Sequence, residues 1–272
     1  MYLSELCACF VFFAVNLLFR QPPKNITGFK AVSLHNKQVL FIIILITWNF
    51  LPITLHGQEL SFSKDKVNYR QIFQDRYEDA LKFVNENKWI SDSLRVKGID
   101  PDFALAIVFP ELIRFSAIQD KMEVGGLLAL YVQYGEKYAD FSVGRFQMKP
   151  TFAEQLENDA TKIPSLKCDS FNSANTSQAR IERVNRLNDL KWQVKYLALF
   201  LKVMEDKYAY IKWDNEDERL KFYATAYNSG YTLGEEKILN RINSKMFYTG
   251  LIKGDICYCY AAIADYYFNT IK

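Results

Sequence analysis

Residues Asp102–Phe115 read DFALAIVFPELIRF. At helical spacing, apolar side chains in this run point to almost every side, so it should form a helix buried all round. A chain organised around such a helix is expected to be mainly α. Gly98-Ile99-Asp100-Pro101 punctuates its start, with Asp100 suited to the N-cap and Pro101 to the first helical position. Pro110 interrupts the run, because proline has no backbone donor and disfavours helical geometry at the preceding Phe109. The helix is therefore expected to bend or end just before Glu111. A carboxylate at that point is costly to bury alone. It is either a working group or one that pairs with Arg114 or reaches solvent.

Upstream, Asn68–Asn87 reads as an amphipathic helix, with Ile72, Phe73, Tyr77, Ala80, Leu81 and Val84 recurring among charges, and Lys88–Lys97 as a turn and a short helix. Downstream, Met122–Lys137 is a helix candidate with Gly125-Gly126 near its start. Tyr138–Pro150, YADFSVGRFQMKP, loses the helical period and reads as extended or looped, with room for a small β-hairpin around Ala139–Phe146. Pro150 opens a further helix. Lys162–Gln178 reads as a loop or flap. Ala179–Tyr210 is one long helix or a pair, and its centre, WQVKYLALFLKVM, should run through the core. Glu216–Tyr227 is helical and stops at Asn228-Ser229-Gly230. Two more helices are expected near Leu233–Ile242 and Ile256–Phe268. There is no internal repeat and no series of alternating strands.

Composition narrows the chemistry. Half of the 272 residues are hydrophobic and 15% are aromatic, enough for a substantial core. A net charge of +3 does not suggest a nucleic-acid partner, which wants basic residues gathered on one face. His35 and His56 both lie in or beside an N-terminal apolar region; without it no histidine remains, which counts against Ser-His-Asp, Cys-His and HExxH chemistry. The cysteines (Cys7, Cys9, Cys168, Cys257, Cys259) form no CxxC pair, so no metal site is expected. Cys168 is expected either to bridge to Cys257 or Cys259, as suits an exported protein, or to be an idle thiol. No cofactor is expected, and the chemistry is left to carboxylates, amides and hydroxyls.

Two apolar runs precede the body of the chain. Cys7–Phe19 is short for a membrane span. Val39–Leu55 follows Lys30 and Lys37, carries Pro52 near its end, and is succeeded by Gly57, a pattern resembling a secretory signal peptide cleaved near Gly57–Gln58. Residues 1–57 are thus read as an N-terminal apolar segment and 58–272 as the working domain. Either translation begins near Ala31–Leu34, or the two runs form a membrane anchor. The expected location is the periplasm or cell envelope of a bacterium, with membrane contact only through this segment if it is uncleaved.

Three short motifs follow in order: Pro110-Glu111-Leu112, Gly144-Arg145-Phe146-Gln147-Met148-Lys149-Pro150, and Ala226-Tyr227-Asn228-Ser229-Gly230. Together they resemble the lytic transglycosylase and goose-type lysozyme group of the lysozyme-like superfamily, over about Asp102–Tyr231. There the second motif reads close to G-L-M-Q-x-x-P and the third A-Y-N-A-G. The resemblance implies a lysozyme-like, mainly α domain that cleaves the MurNAc–GlcNAc β-1,4 bond of peptidoglycan glycan strands. It makes Glu111 the general acid and then base, with the sugar's own 6-hydroxyl closing an anhydro ring. Asp140 is the candidate second carboxylate that a hydrolase, a muramidase, would use, or else a loop cap beside Ser142. Gln147 is expected to line the cleft, Tyr227 and Asn228 to orient Glu111 and meet the N-acetyl sugar, and Ser142 and Met148 to contribute to the lining. An apolar setting would lift the pKa of Glu111, as lysozymes themselves do with their acid.

The chain departs from the group in two places. Leu112 stands where Ser usually follows the acid, and the gap from Glu111 to Gln147 is longer than usual, 147 − 111 = 36 positions, with the extra length in Arg114–Ala139. These departures also suit a glycan-binding envelope protein without activity.

Overall fold

The structure, a computed structural model, describes residues 67–166, 176–249 and 256–271. The apolar runs, the expected cleavage site and Cys168 lie outside them. The described part opens with three helices, α1 (Tyr69–Phe73), α2 (Asp75–Glu86) and α3 (Trp89–Val96), and reaches the apolar run as α4 (Pro101–Arg114). Asp100 Oδ1 accepts from the Asp102 amide at 2.9 Å, the N-cap expected from the sequence.

Every residue of α4 from Phe103 to Ile113 is buried. The helix does not end at Pro110 but runs on to Arg114, and the Phe115 amide closes on the Glu111 carbonyl at 2.9 Å. Proline removes one donor from the helix ladder and crowds the carbonyls of the preceding turn. Here the Tyr260 hydroxyl adds a bond from outside, donating to the Ile107 carbonyl at 2.9 Å, next to the Ala106 carbonyl that Pro110 leaves without its helical donor. Ring contacts pin the same stretch, with Phe109 stacked on Tyr267 at 3.8 Å and edge-on to Tyr77 at 5.0 Å. Tertiary packing outweighs the local preference.

After α4, α5 (Ala117–Gly126) continues through a π-helical turn, Leu127–Tyr131, into a last turn, α6 (Val132–Tyr134). This helix starts earlier and stops earlier than the sequence indicated, capped by Ser116 and ended at Gly135, whose φ is +87°. The expected hairpin is reduced to one antiparallel pair, Val143 with Met148, joined by two 3.0 Å amide–carbonyl bonds. Then come α7 (Pro150–Ala160), α8 (Ser177–Leu187), α9 (Leu190–Lys207), α10 (Glu216–Ser229) and α11 (Glu235–Leu239). The 179–210 region is a pair, because Asp189 caps a fresh start by accepting from the Lys191 amide at 2.7 Å. A two-stranded antiparallel ribbon, β1 (Lys245–Phe247) and β2 (Tyr258–Cys259), precedes α12 (Tyr260–Ile271). Cys259 directs its thiol to the Ile242 carbonyl at 3.0 Å. The described part is thus mainly α. Helix α4 packs against α2, α3, α9, α10 and α12. No described helix is long and apolar enough to cross a membrane.

A second buried feature ties the other half together. Glu157 on α7 accepts from Arg183 Nη2 at 2.9 Å and Nε at 3.1 Å, from Arg186 Nη2 at 2.8 Å and from the Tyr196 hydroxyl. Arg183 also donates to the Tyr131 hydroxyl at 2.7 Å. Charges this deeply buried persist only because each is partnered. Replacing Arg183 with Met should therefore cost about 3 kcal/mol, the low end for breaking a buried pair because Arg186 and Tyr196 remain on Glu157. Chemical denaturation midpoints measure this.

Candidate active site

Glu111 sits in the last turn of α4 and is only 3% exposed. Burial pushes its carboxyl up to about 7, against the pull of the Arg114 charge. Arg114 Nη2 lies 2.8 Å from Glu111 Oε2, so the pairing weighed from the sequence does exist. It is incomplete. Among the described residues, Glu111 Oε2 accepts no well-aligned hydrogen bond and Arg114 Nε donates none.

The second motif reaches this pair through Gln147. Its Nε2 donates to the Gly144 carbonyl at 2.9 Å, and its Oε1 faces Arg114 Nη2 at 3.5 Å. Both ends of this turn are left-handed, Gly144 at φ +77° and Gln147 at φ +50°. Glycine is required at 144 for space as well, since a Cβ there would lie 1.6 Å from Gln193 Nε2. Gln193, buried on α9, accepts from the Phe146 amide at 2.8 Å and donates to the Leu187 carbonyl at 2.7 Å. On the other side the Tyr227 hydroxyl of α10 donates to the Phe146 carbonyl at 2.7 Å. Burial first, then the Glu111 charge, raises the Tyr227 phenol well above its ordinary value, and the same two causes act on Tyr260. The second and third motifs are thus clamped together beside the first.

Asn228 is exposed and lines a groove of about 310 Å³ with Arg114, Ser229, Arg241, Phe247 and Tyr260. Glu111 itself is not among the lining residues; Arg114 stands for it in the wall, with its guanidinium 5.4 Å from the centre of the Phe247 ring. Met148 is 1% exposed and belongs to the core rather than to a cleft lining. Ser142 is half-buried, just before the paired Val143. Asp140 takes the capping role: Oδ1 accepts from the Thr151 amide at 3.1 Å and Oδ2 from the Thr151 hydroxyl at 2.8 Å, with Lys149 Nζ at 3.7 Å. It closes the start of α7.

Two acids in the long segment after α4 were not read from the sequence. Asp120 Oδ1 accepts from the Gly144 amide at 2.5 Å and so fixes the turn from below. Glu123 Oε1 accepts from Gln119 Nε2 at 2.9 Å, while its Oε2 is buried without a donor. Burial pushes Glu123 up to about 7; Gln119 and Arg114 pull it down, and Asp120 and Glu111 push it further up. An i, i+4 Gln–Glu pair on a helix looks like ordinary surface decoration, so the sequence carried no signal for it.

The site therefore offers an acid that holds a proton near neutral pH, with an amide, buried phenols and a guanidinium around it. Among the described residues no group of three or more His, Cys, Asp or Glu is placed to hold a metal ion. The raised Glu111 has a consequence for stability that does not depend on any activity. Between the unfolded value of 4.5 and about 7, the unfolded chain releases this proton while the folded chain keeps it. Rising pH must then destabilise the wild type relative to Glu111→Gln across that window, by on the order of 3 kcal/mol in all. Denaturation of both proteins from pH 4 to pH 8 tests this, and parallel curves would contradict the assignment. No protein-family model matches the chain, and neither does any curated protein or solved structure.

Proposed function

We propose that this chain is an exported peptidoglycan-cleaving enzyme of the lysozyme-like kind, a lytic transglycosylase acting on the MurNAc–GlcNAc β-1,4 bond in a bacterial periplasm or envelope. One observation carries the reading. A buried acid with a pKa near 7, Glu111, is joined through Arg114 to Gln147 and to a groove that also takes in Asn228. General acid catalysis works best when the acid's pKa lies close to the working pH.

In this scheme protonated Glu111 gives its proton to the glycosidic oxygen as the C1–O bond breaks. The resulting carboxylate then takes the proton of the C6 hydroxyl of the same MurNAc, whose oxygen closes on C1. Glu111 regains its proton and no water enters. Arg114, 2.8 Å away, steadies the carboxylate between the two steps. The transglycosylase is favoured over a muramidase using Asp140 because Thr151 occupies both Asp140 oxygens.

Mass analysis of digested murein should give anhydro-muramyl ends rather than reducing ends. Glu111→Gln should lower the rate by at least about 10²-fold, and activity should fall as pH rises past about 7, where the acid loses its proton. A Glu111→Gln variant that still cuts murein would sink the site assignment. A wild-type protein that binds murein without releasing soluble fragments would instead identify a glycan-binding module.

A further inference from the structure

The groove beside the site carries charge of one sign. Arg114 and Arg241 both line it, and among the described residues no Asp or Glu does. Arg114 is answered by Glu111 at 2.8 Å, which is not itself a lining residue. Arg241 is not answered. Every other arginine of the described residues meets a carboxylate, a backbone carbonyl or an aromatic ring. Arg241 is exposed and, among the described residues, its side chain has no hydrogen bond, ion pair or ring contact.

Its backbone is held all the same. After α11 the Arg241 amide donates to the Ile238 carbonyl at 3.0 Å and the Ser244 amide to the Arg241 carbonyl at 2.9 Å. The Cys259 thiol of β2 holds the neighbouring Ile242 carbonyl at 3.0 Å. A guanidinium on a held backbone, in a groove with no acid in its lining, offers its donor fork to an anion.

The lining narrows the choice of anion. The Thr225 hydroxyl donates to the Lys221 carbonyl at 2.7 Å and the Ser229 hydroxyl to the Thr225 carbonyl at 2.6 Å, so neither has a proton left to give. The charged fork of Arg241 matches a planar carboxylate. Apolar side chains stand in the same lining, with Met246 68% and Tyr248 40% exposed. Ligand pockets run from roughly 300 to 1,000 Å³, and at about 310 Å³ this groove is among the small ones. It suits a short acidic appendage better than a run of sugar rings.

We propose that the groove takes a carboxylate of the muramyl side chain, on the lactyl group or on the stem peptide attached to it, and that Arg241 is the residue that binds it. Murein strands carry such acids on their muramyl residues, whereas chitin strands carry none. Arg241 thus sets murein apart from other β-1,4-linked N-acetyl sugars. This specificity rests on the reading of the chain as a murein-cleaving enzyme.

Isothermal titration calorimetry of the full chain tests it with three probes: GlcNAc–MurNAc-tetrapeptide, GlcNAc–MurNAc with its free lactyl carboxylate, and chitobiose. None contains the MurNAc–GlcNAc bond, so binding is read without cleavage. A muramyl probe should bind about 10-fold more tightly than chitobiose, the worth of one charge-assisted contact. A preference for the tetrapeptide probe places the carboxylate on the stem, and a preference for the bare disaccharide places it on the lactyl group. Arg241→Gln should bring the preferred probe down to the chitobiose level, and Arg241→Lys should keep part of the preference. Methyl esterification of the preferred probe should do the same to wild-type binding, which keeps the test open if the Arg241 variant fails to fold. Equal binding of all three probes by the wild type, or a preference kept in Arg241→Gln, overturns the proposal even where murein is cut. Carboxylate-dependent binding by a protein that never cuts murein supports the groove assignment and overturns the enzymatic reading.

Discussion

A helix that is apolar on all sides must be wrapped on all sides, and the burial of α4 is the constraint from which the rest follows. Among the described residues, α2, α3, α9, α10 and α12 close around it. Because the wrap extends to Ile113, the carboxyl of Glu111 is carried inside with it. Leaving an unpartnered charge there would cost several kcal/mol, so the group responds by keeping its proton to higher pH. The acidity of the site is thus a by-product of how the core is built, with Arg114 limiting how far it goes.

The second structural requirement is a backbone that can approach very closely. The turn at 143–148 lies against Gln193 with no space for a side chain at Gly144, and the buried amide of Gln193 and the hydroxyl of Tyr227 take up the Phe146 amide and carbonyl. A loop fixed at both its polar groups from two helices is held far more tightly than its length implies. That rigidity delivers Gln147 to Arg114, and through it to Glu111. The Glu157–Arg183 network, some way along the same helices, anchors the α7–α9 side that carries Gln193.

Much of the architecture was legible beforehand because it is written in local periods and caps. The buried α4, its Asp100-Pro101 start, the Pro150 start of α7, and the stop at Gly230 all follow from side chains acting on their own backbone. The run of α4 past Pro110 and the β1–β2 ribbon depend on groups distant in sequence, such as the Tyr77 and Tyr267 rings packed on Phe109, whereas the earlier start of α5 is set by a local cap at Ser116. Asp140 shows the same limit at the site. As a carboxylate near the Gly–Gln motif it fits either a catalytic or a capping reading, and the partner that separates them, Thr151, is eleven residues away.

The sequence alone determined that the domain is mainly helical and that a glutamate would stand at the edge of its most apolar helix, since helical period, proline and glycine act locally; Gln147 and Tyr227 were singled out only by the motif resemblance. Only the tertiary structure decided that Arg114 lies on Glu111, that Asp140 is spent on a helix cap, and that Glu123 has a carboxylate oxygen buried without a donor. The reason is physical. A carboxylate's protonation is set by burial and by charges that meet it through space, and neither is a property of the residues next to it along the chain.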